Sequence, residues 1–405
     1  MGDGVVTRVL NDLVSCNGTG HQIIIYLEAE SRVSYRDIAR MVRRVTRQHP
    51  ILNNRMSGGV WVPSALSLGN HVRKHRVVKD LEQAIDICSN TVWADDVPRW
   101  AAATFSTRAN RHYVLLTLDH CYGDGAAALD IWRYIFTNQA KNNIKSRTLL
   151  TEGMLGRIYM LLRVIVFLLM RHRAIVLQPS PTAGAPSRAQ AKLATLSLHK
   201  LRALRKVFCT GTTINDIAHA ILAKANALYF RKDTISSAAI FNMRKADDVF
   251  SDRNKIGFMI LINKCTGTRT DVVQDVRAFM KCYKSLPLVQ LTYGVLEWCY
   301  AWKGQAAIDY MRRAGMSLDF VISNYPTGVK DKILYGRSPV RVKNIGATVL
   351  PGDVKQLYSI VSYEDNVNLH VSYQTEHITD VSRLRLCFSE AVTWIAHGGS
   401  LEATA

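Results

Sequence analysis

Apolar and polar positions follow two periods along this chain, and each change of period marks an element. From Ser34 to His49 apolar residues recur at Ile38, Met41, Val42 and Val45, the spacing of one helical face, while Ser34 and Asp37 can close the first turn. The basic residues of the run Arg40–Arg47 then form the solvated face of that helix. Pro50 stops it, and the following Ile51–Met56 is predicted to be extended. Arg111–Asp119, RHYVLLTLD, is apolar on both faces, which predicts a strand in the middle of a sheet. Behind it Leu129, Trp132, Ile135 and Phe136 mark the apolar stripe of a second helix.

The second half of the chain repeats this mixture. Two helical patterns are split by Gly211. The second, Thr213–Phe230, has Thr213 and Asp216 in capping-box relation and Ile214, Ile217, Ile221, Ala225 and Leu228 on its inner side. Ser236–Met243 and Leu318–Ser323 read as strands. Gln356–Tyr363 and Val367–Tyr373 alternate around Glu364-Asp365-Asn366 as a hairpin, and Asp380 starts a last helix through Ile395. Between the halves lies Gln178–Ala191, QPSPTAGAPSRAQA, whose Pro, Ala and Ser mark a linker. The expected organisation is α/β, with an N-terminal lobe over 1–177, a linker over 178–191 and a C-terminal lobe over 192–405.

Met154–Leu177 fits neither period cleanly. Over Ile158–Met170 only Arg163 interrupts an apolar run, which as a helix is about 20 Å long, short of the roughly 30 Å needed to cross a bilayer. Arg157, Arg163 and Arg171 fall on one side of the helical wheel. That pattern suits a membrane surface, with Arg163, Phe167 and Leu168 as candidate contacts, and it suits equally a core-packing helix with exposed arginines.

Composition adds charge to the picture. The 405 residues are 48% hydrophobic and 21% charged, enough for a packed core, and 52 Lys plus Arg against 32 Asp plus Glu give +20. Such an excess calls for anionic surroundings: nucleic acid, an anionic membrane face or phosphate-bearing ligands. No zinc-finger spacing or RNP-like aromatic motif supports nucleic acid. Eight cysteines without a C-x-x-C read as reduced thiols, and MGDGVVTRVL shows no basic-then-apolar signal pattern, so the expected location is cytoplasmic, peripheral on a membrane if the apolar segment binds one. His71 and His75 stand four residues apart among Arg73, Lys74 and Arg76, whose charge opposes a metal ion; no metal site is expected.

The candidate chemistry lies in HCYGDG, His120–Gly125, where the predicted strand gives way to a helix. A strand end followed by a glycine turn projects the histidine into a loop-lined space, and an imidazole titrates near neutral pH, so it can take a proton from an alcohol, amine or thiol. Asp124 can pair with an arginine or cap the turn from Ala126, and Gly123 and Gly125 permit a sharp bend and close approach of a ligand. Cys121 makes a poor partner for His120, because neighbours on extended backbone point to opposite sides.

This stretch resembles the H-x-x-x-D-G signature of the CoA-dependent acyltransferase superfamily, with its chloramphenicol acetyltransferase-like fold. Four further stretches are similar to family motifs in the same order. They are Gln48-His49-Pro50-Ile51-Leu52, Gly211-Thr212-Thr213-Ile214-Asn215-Asp216, Phe241-Asn242-Met243-Arg244 and Ser323-Asn324-Tyr325-Pro326, the last being the strand end of the wax ester synthase/diacylglycerol acyltransferase and polyketide-associated branches. The resemblance implies two lobes, each a mixed sheet packed with helices, with the active site in a tunnel between them. It implies transfer of an acyl group from acyl-CoA, a co-substrate and not a bound cofactor, to a hydrophobic alcohol or amine. His120 would be the general base in a ternary complex without an acyl-enzyme. Asp124 and Gly125 would hold the loop, with Arg244 as the carboxylate's partner, and Ser323 or Asn324 would donate to the developing oxyanion. An acyl group delivered by acyl carrier protein, or an inactive binding module of the same fold, are the alternatives. The chain departs from the family in three places: Asp119 precedes His120 where many relatives have a second histidine, D-F-G-W-G is absent, and Lys255–Phe258 lacks the family's G-N turn.

Overall fold

A computed structural model describes residues 22–57, 60–64, 67–91, 93–94, 96–129, 131, 187–242, 256–284, 301–326, 340–350 and 354–396. In the N-terminal half the strands are β1 (Gln22–Ala29), β2 (Asn54–Ser57), β3 (Val60–Pro63), β4 (Arg76–Val78), β5 (Trp100–Thr107) and β6 (His112–Asp119), with helices α1 (Tyr35–Gln48) and α2 (Leu81–Ser89). The C-terminal half contributes β7 (Arg188–Ser197), α3 (Leu198–Arg205), α4 (Ile214–Phe230), β8 (Thr234–Asn242), β9 (Ile256–Lys264), α5 (Arg269–Lys284), α6 (Gln305–Ser317), β10 (Phe320–Pro326), β11 (Val342–Leu350), β12 (Gln356–Tyr363), β13 (Asn366–Gln374) and α7 (Val381–Ala396).

Most of the periodic segments form what their spacing predicts. Ser34 caps α1 by accepting from the Asp37 backbone N–H at 3.2 Å, and its hydroxyl donates to the Asp37 carboxylate at 2.6 Å. Ile38, Met41, Val42 and Val45 are all buried. The capping box at the start of α4 is complete: Asp216 N donates to Thr213 Oγ1 at 3.2 Å, and Thr213 N donates to the Asp216 carboxylate at 2.7 Å. The predicted extended stretch after α1 begins differently. Pro50–Asn53 form a 3₁₀ turn, for which the fixed φ of proline is well suited. The turn buries Leu52, whose carbonyl accepts from the Trp100 indole at 2.8 Å; extended backbone starts only at Asn54.

Among the described residues the strands form two large mixed sheets and the small β2–β3 hairpin. The first sheet runs β11-β1-β6-β5-β4, antiparallel except for the β4–β5 pair. The second runs β7-β13-β12-β10-β8-β9, with β10 parallel to both neighbours. Two strands cross the boundaries drawn from composition. Arg188–Ala191, in the Pro/Ala/Ser-rich segment, already belong to β7 and pair with β13. β11 leaves the C-terminal half to pair with β1, so one strand of the first sheet comes from beyond residue 192.

That crossing strand ties the sheets together. On β1 the even and odd positions face different layers: Ile24 and Tyr26 pack with Ile85 and Cys88 of α2, while Ile23, Ile25 and Leu27 join a core that also holds Val321, Leu357 and Val361 of the second sheet. Gly346 of β11 lies opposite Tyr26, and any side-chain carbon there would overlap the Tyr26 ring. The Tyr26 hydroxyl reaches on to His370 Nε2 on β13 at 2.7 Å. Thr348 and Ser372 pair hydroxyl to hydroxyl at 2.6 Å, and Glu82 of α2 binds the Arg385 guanidinium of α7 at 2.7 Å. Among the described residues no helix is long and apolar enough to cross a membrane. Met154–Leu177, with Arg163, Phe167 and Leu168, lies outside the described residues.

Candidate active site

His120 stands where the sequence places it, one residue past the end of β6, in a 3₁₀ turn over His120–Tyr122. The turn is built by its neighbours. Asp119 accepts from the Cys121 backbone N–H at 3.0 Å and lies 3.7 Å from the Arg99 guanidinium, so the residue that replaces a second histidine serves as an N-cap. Cys121 and Tyr122 point into the core shared by the two sheets. The Tyr122 hydroxyl donates to the Asn54 carbonyl at 2.6 Å and its ring meets Trp61 edge-on. These anchors fix the turn on both sides of His120, whose own side chain is half-buried.

Asp124 is almost completely buried, and one carboxylate oxygen accepts from the backbone N–H groups of Ala126 and Ala127, each at 3.0 Å. The carboxylate therefore caps the helical turn that begins at Gly125, a negative charge on orphaned N-terminal donors. Arg244, expected as its ionic partner, lies outside the described residues.

The S-N-Y-P stretch forms the end of β10 in the second sheet, and strand alternation sorts its side chains. Ser323 and Tyr325 share the side of Val321, which belongs to the inter-sheet core; Asn324 takes the other side with Phe320 and Ile322. There Asn324 donates to the Asn215 side chain on the first turn of α4 at 3.1 Å, joining this motif to the G-T-T-I-N-D helix opening. Ser323 is buried. Its hydroxyl acts on the Tyr325 phenol oxygen as a donor, which favours the phenolate. Burial pushes the Tyr325 phenol up to about 12, and the nearby Asp124 carboxylate acts in the same direction against the Ser323 bond, so the hydroxyl stays protonated at neutral pH.

Tyr325 is the site residue that sequence reasoning passed over. Its ring lies directly against Gly125: a side-chain carbon at 125 would overlap the ring. The final glycine of H-C-Y-G-D-G thus makes room for a side chain from the opposite sheet, a use of glycine by close approach and not by backbone conformation. The signal was present, since Tyr325 occupies the variable position of S-N-Y-P, but only the structure shows what it touches.

Four other described histidines make structural contacts. His219 bonds Ser237 at 2.9 Å, and burial lowers its pKa to about 3; His370, held by Tyr26, is lowered to about 3 for the same reason. His71 is buried and stacks on Trp100 at 4.3 Å, while His75 bonds Thr104 at 3.1 Å.

Residues 253–396 match the family model described as WS/DGAT C-terminal domain. No curated protein is similar to the chain by sequence. Solved structures are similar over nearly its whole length. The wax ester synthase/diacylglycerol acyltransferase from Marinobacter aquaeolei VT8 is 12% identical, with a TM-score of 0.62 and 98% of each chain covered. The first condensation domain of the CDA synthetase is 12% identical at a TM-score of 0.60, covering 100% of this chain and 98% of that one. Polyketide synthase associated protein 5 from Mycobacterium tuberculosis is 11% identical at 0.59, with 98% of each covered. The chain therefore has the two-lobed, chloramphenicol acetyltransferase-like fold of these structures, and its residues 253–396 are similar to the WS/DGAT C-terminal domain.

Proposed function

We propose that this protein transfers an acyl group from acyl-CoA to the hydroxyl of a hydrophobic acceptor, with His120 as general base. The observation that supports the reading is that His120 stands on an anchored turn at the end of a central strand, and that Gly125 of the same motif meets Tyr325 near the end of β10 in the other sheet. In the reaction the imidazole removes the acceptor's hydroxyl proton as the oxygen attacks the thioester carbonyl. The tetrahedral oxyanion is stabilised by the Ser323 hydroxyl, a kind of donor worth about 3 kcal/mol to a barrier. Collapse breaks the carbon–sulfur bond, and the imidazolium returns the proton to the leaving thiolate of CoA. Both substrates are bound together, and no group on the protein is acylated.

Asp124 supports the turn and takes no part in proton transfer. Its carboxylate is committed to the backbone of Ala126 and Ala127, and Arg244 is its ionic partner in this reading. The positive balance of the chain suits the phosphates of CoA and an anionic lipid surface alike, and Arg163, Phe167 and Leu168 would rest on that surface. The test pairs turnover with membrane binding. Purified protein should release free thiol from acyl-CoA when a long-chain alcohol is added. Introducing charge within Val164–Met170 should free the protein from anionic vesicles, and a chain that never sediments with them contradicts the membrane part alone. Turnover with acyl carrier protein in preference to CoA would move the donor assignment and leave the chemistry in place.

A further inference from the structure

Ser359 of β12 is 1% exposed, and its hydroxyl oxygen has no hydrogen-bond partner among the described residues. Its neighbours set the side it takes: Leu357, Val361 and Tyr363 all belong to the core between the two sheets. On β13 the polar residues of this face have partners in the first sheet. Asn368 donates to the Ile345 carbonyl at 2.8 Å, His370 Nε2 meets the Tyr26 hydroxyl at 2.7 Å, and Ser372 pairs with Thr348 at 2.6 Å. Ser359, opposite His370 in the ladder, makes no such contact. A buried hydroxyl left unpaired costs stability, and an alanine there would pack without that cost.

The other neighbour of Ser359 is Ser323. Strands β10 and β12 run parallel with these two residues in register, so both serines stand side by side on one face. Two residues on, Tyr325 pairs with Val361, and its ring fills the space at Gly125 of the H-C-Y-G-D-G motif. We propose that Ser359 is a catalytic residue, the second of two hydroxyls that donate to one atom, the thioester carbonyl oxygen of the acyl donor as it becomes an oxyanion; the proposal rests on the acyl-transfer reading above. Neighbouring strands lie about 4.8 Å apart and an O–H···O bond spans about 2.7 Å, so one oxygen between the two side chains is within reach of both. That oxygen has lone pairs for two donors. Its charge grows as the acceptor oxygen adds to the carbon and falls as the carbon–sulfur bond breaks, and neither serine gives up its proton. A donor with no competing partner has no bond to break before it serves that charge.

The experiment compares Ser359→Ala and Ser359→Thr with the wild type, reading kcat, KM for acyl-CoA and melting temperature. Ser359→Ala should lower kcat by about ten- to a hundredfold with KM little changed, the mark of a bond made in the transition state. Its melting temperature should equal or exceed that of the wild type, because an unpaired buried hydroxyl has been removed. A serine needed only for the fold would give the opposite pairing. Ser359→Thr keeps a hydroxyl and should lose less kcat than Ser359→Ala. A kcat for Ser359→Ala equal to wild type, a loss confined to KM, a lower melting temperature beside the slower turnover, or equal losses in the two variants overturns the proposal while acyl transfer stands. A wild type that releases no thiol from acyl-CoA with any acceptor overturns the acyl-transfer reading and this proposal with it.

Discussion

The ring of Tyr325, near the end of β10, occupies the place where Gly125 would carry a side chain. Two motifs separated by about 200 positions in the sequence thus meet without a spare methyl group between them. Gly125→Ala should destabilise the protein by about 1–3 kcal/mol, the usual cost of overpacking. Tyr325→Val, which removes the ring, should recover a large part of that loss in the double variant. Denaturant unfolding of the four proteins checks it, and additive losses would mean that the two residues do not share the space.

The two residues beside Tyr325 should separate cleanly. Ser323→Ala should lower kcat by about a hundredfold if its hydroxyl serves the oxyanion, with little change in stability. Asn324→Ala loses the bond to Asn215 on the opposite side of the strand, so it should cost about 1 kcal/mol of stability and change kcat little. Steady-state kinetics and thermal melts on both variants decide between them; the reverse pattern would exchange their roles.

The capping box of α4 predicts a purely structural effect. Thr213→Ala removes the acceptor for the Asp216 N–H and should cost about 1 kcal/mol, seen as a lower melting temperature with unchanged turnover per folded molecule.

Two buried histidines contribute to the fall of stability in acid. His219 and His370 stay neutral in the folded protein down to about pH 3, because burial penalises the imidazolium, whereas in the unfolded chain they protonate near pH 6.5. The unfolded state therefore binds more protons between those limits. The stability from neutral burial is full above about pH 6.5 and declines below it, by up to about 1.4 kcal/mol per pH unit for each histidine. His219→Gln should flatten the fall of unfolding free energy between pH 6 and 4 relative to wild type. Parallel curves for the two proteins would show that His219 does not titrate differently on folding.

How much of this was legible beforehand varies with the physics of each element. The helix over Ser34–His49, the Thr213–Asp216 capping box and the Gln356–Tyr373 hairpin depend on local spacing, and their elements form as the spacing predicts. Trp100–Thr107 and Gln22–Ala29 are strands buried along both faces, so they show no alternation by which to find them. Val342–Leu350 is a strand that the sequence reading does not single out, and its choice of Gln22–Ala29 as partner is a long-range pairing that no local pattern encodes. The composition of Gln178–Ala191 marked a linker, yet its last four residues are drawn into a ladder with β13. At the site, His120 and Asp124 stood out by residue type and spacing. Tyr325 did not, because its importance lies in a contact across two sheets with a residue that has no side chain.

The central claim is that the His120 imidazole activates an acceptor for attack on a thioester. The most direct measurement follows free thiol and product mass when purified protein is mixed with acyl-CoA and a panel of alcohols, amines and sterols, beside His120→Ala of equal melting temperature. The account predicts thiol release that depends on an alcohol acceptor, an ester of matching mass, and loss of both in the variant. Ester formation by His120→Ala at the wild-type rate would contradict it.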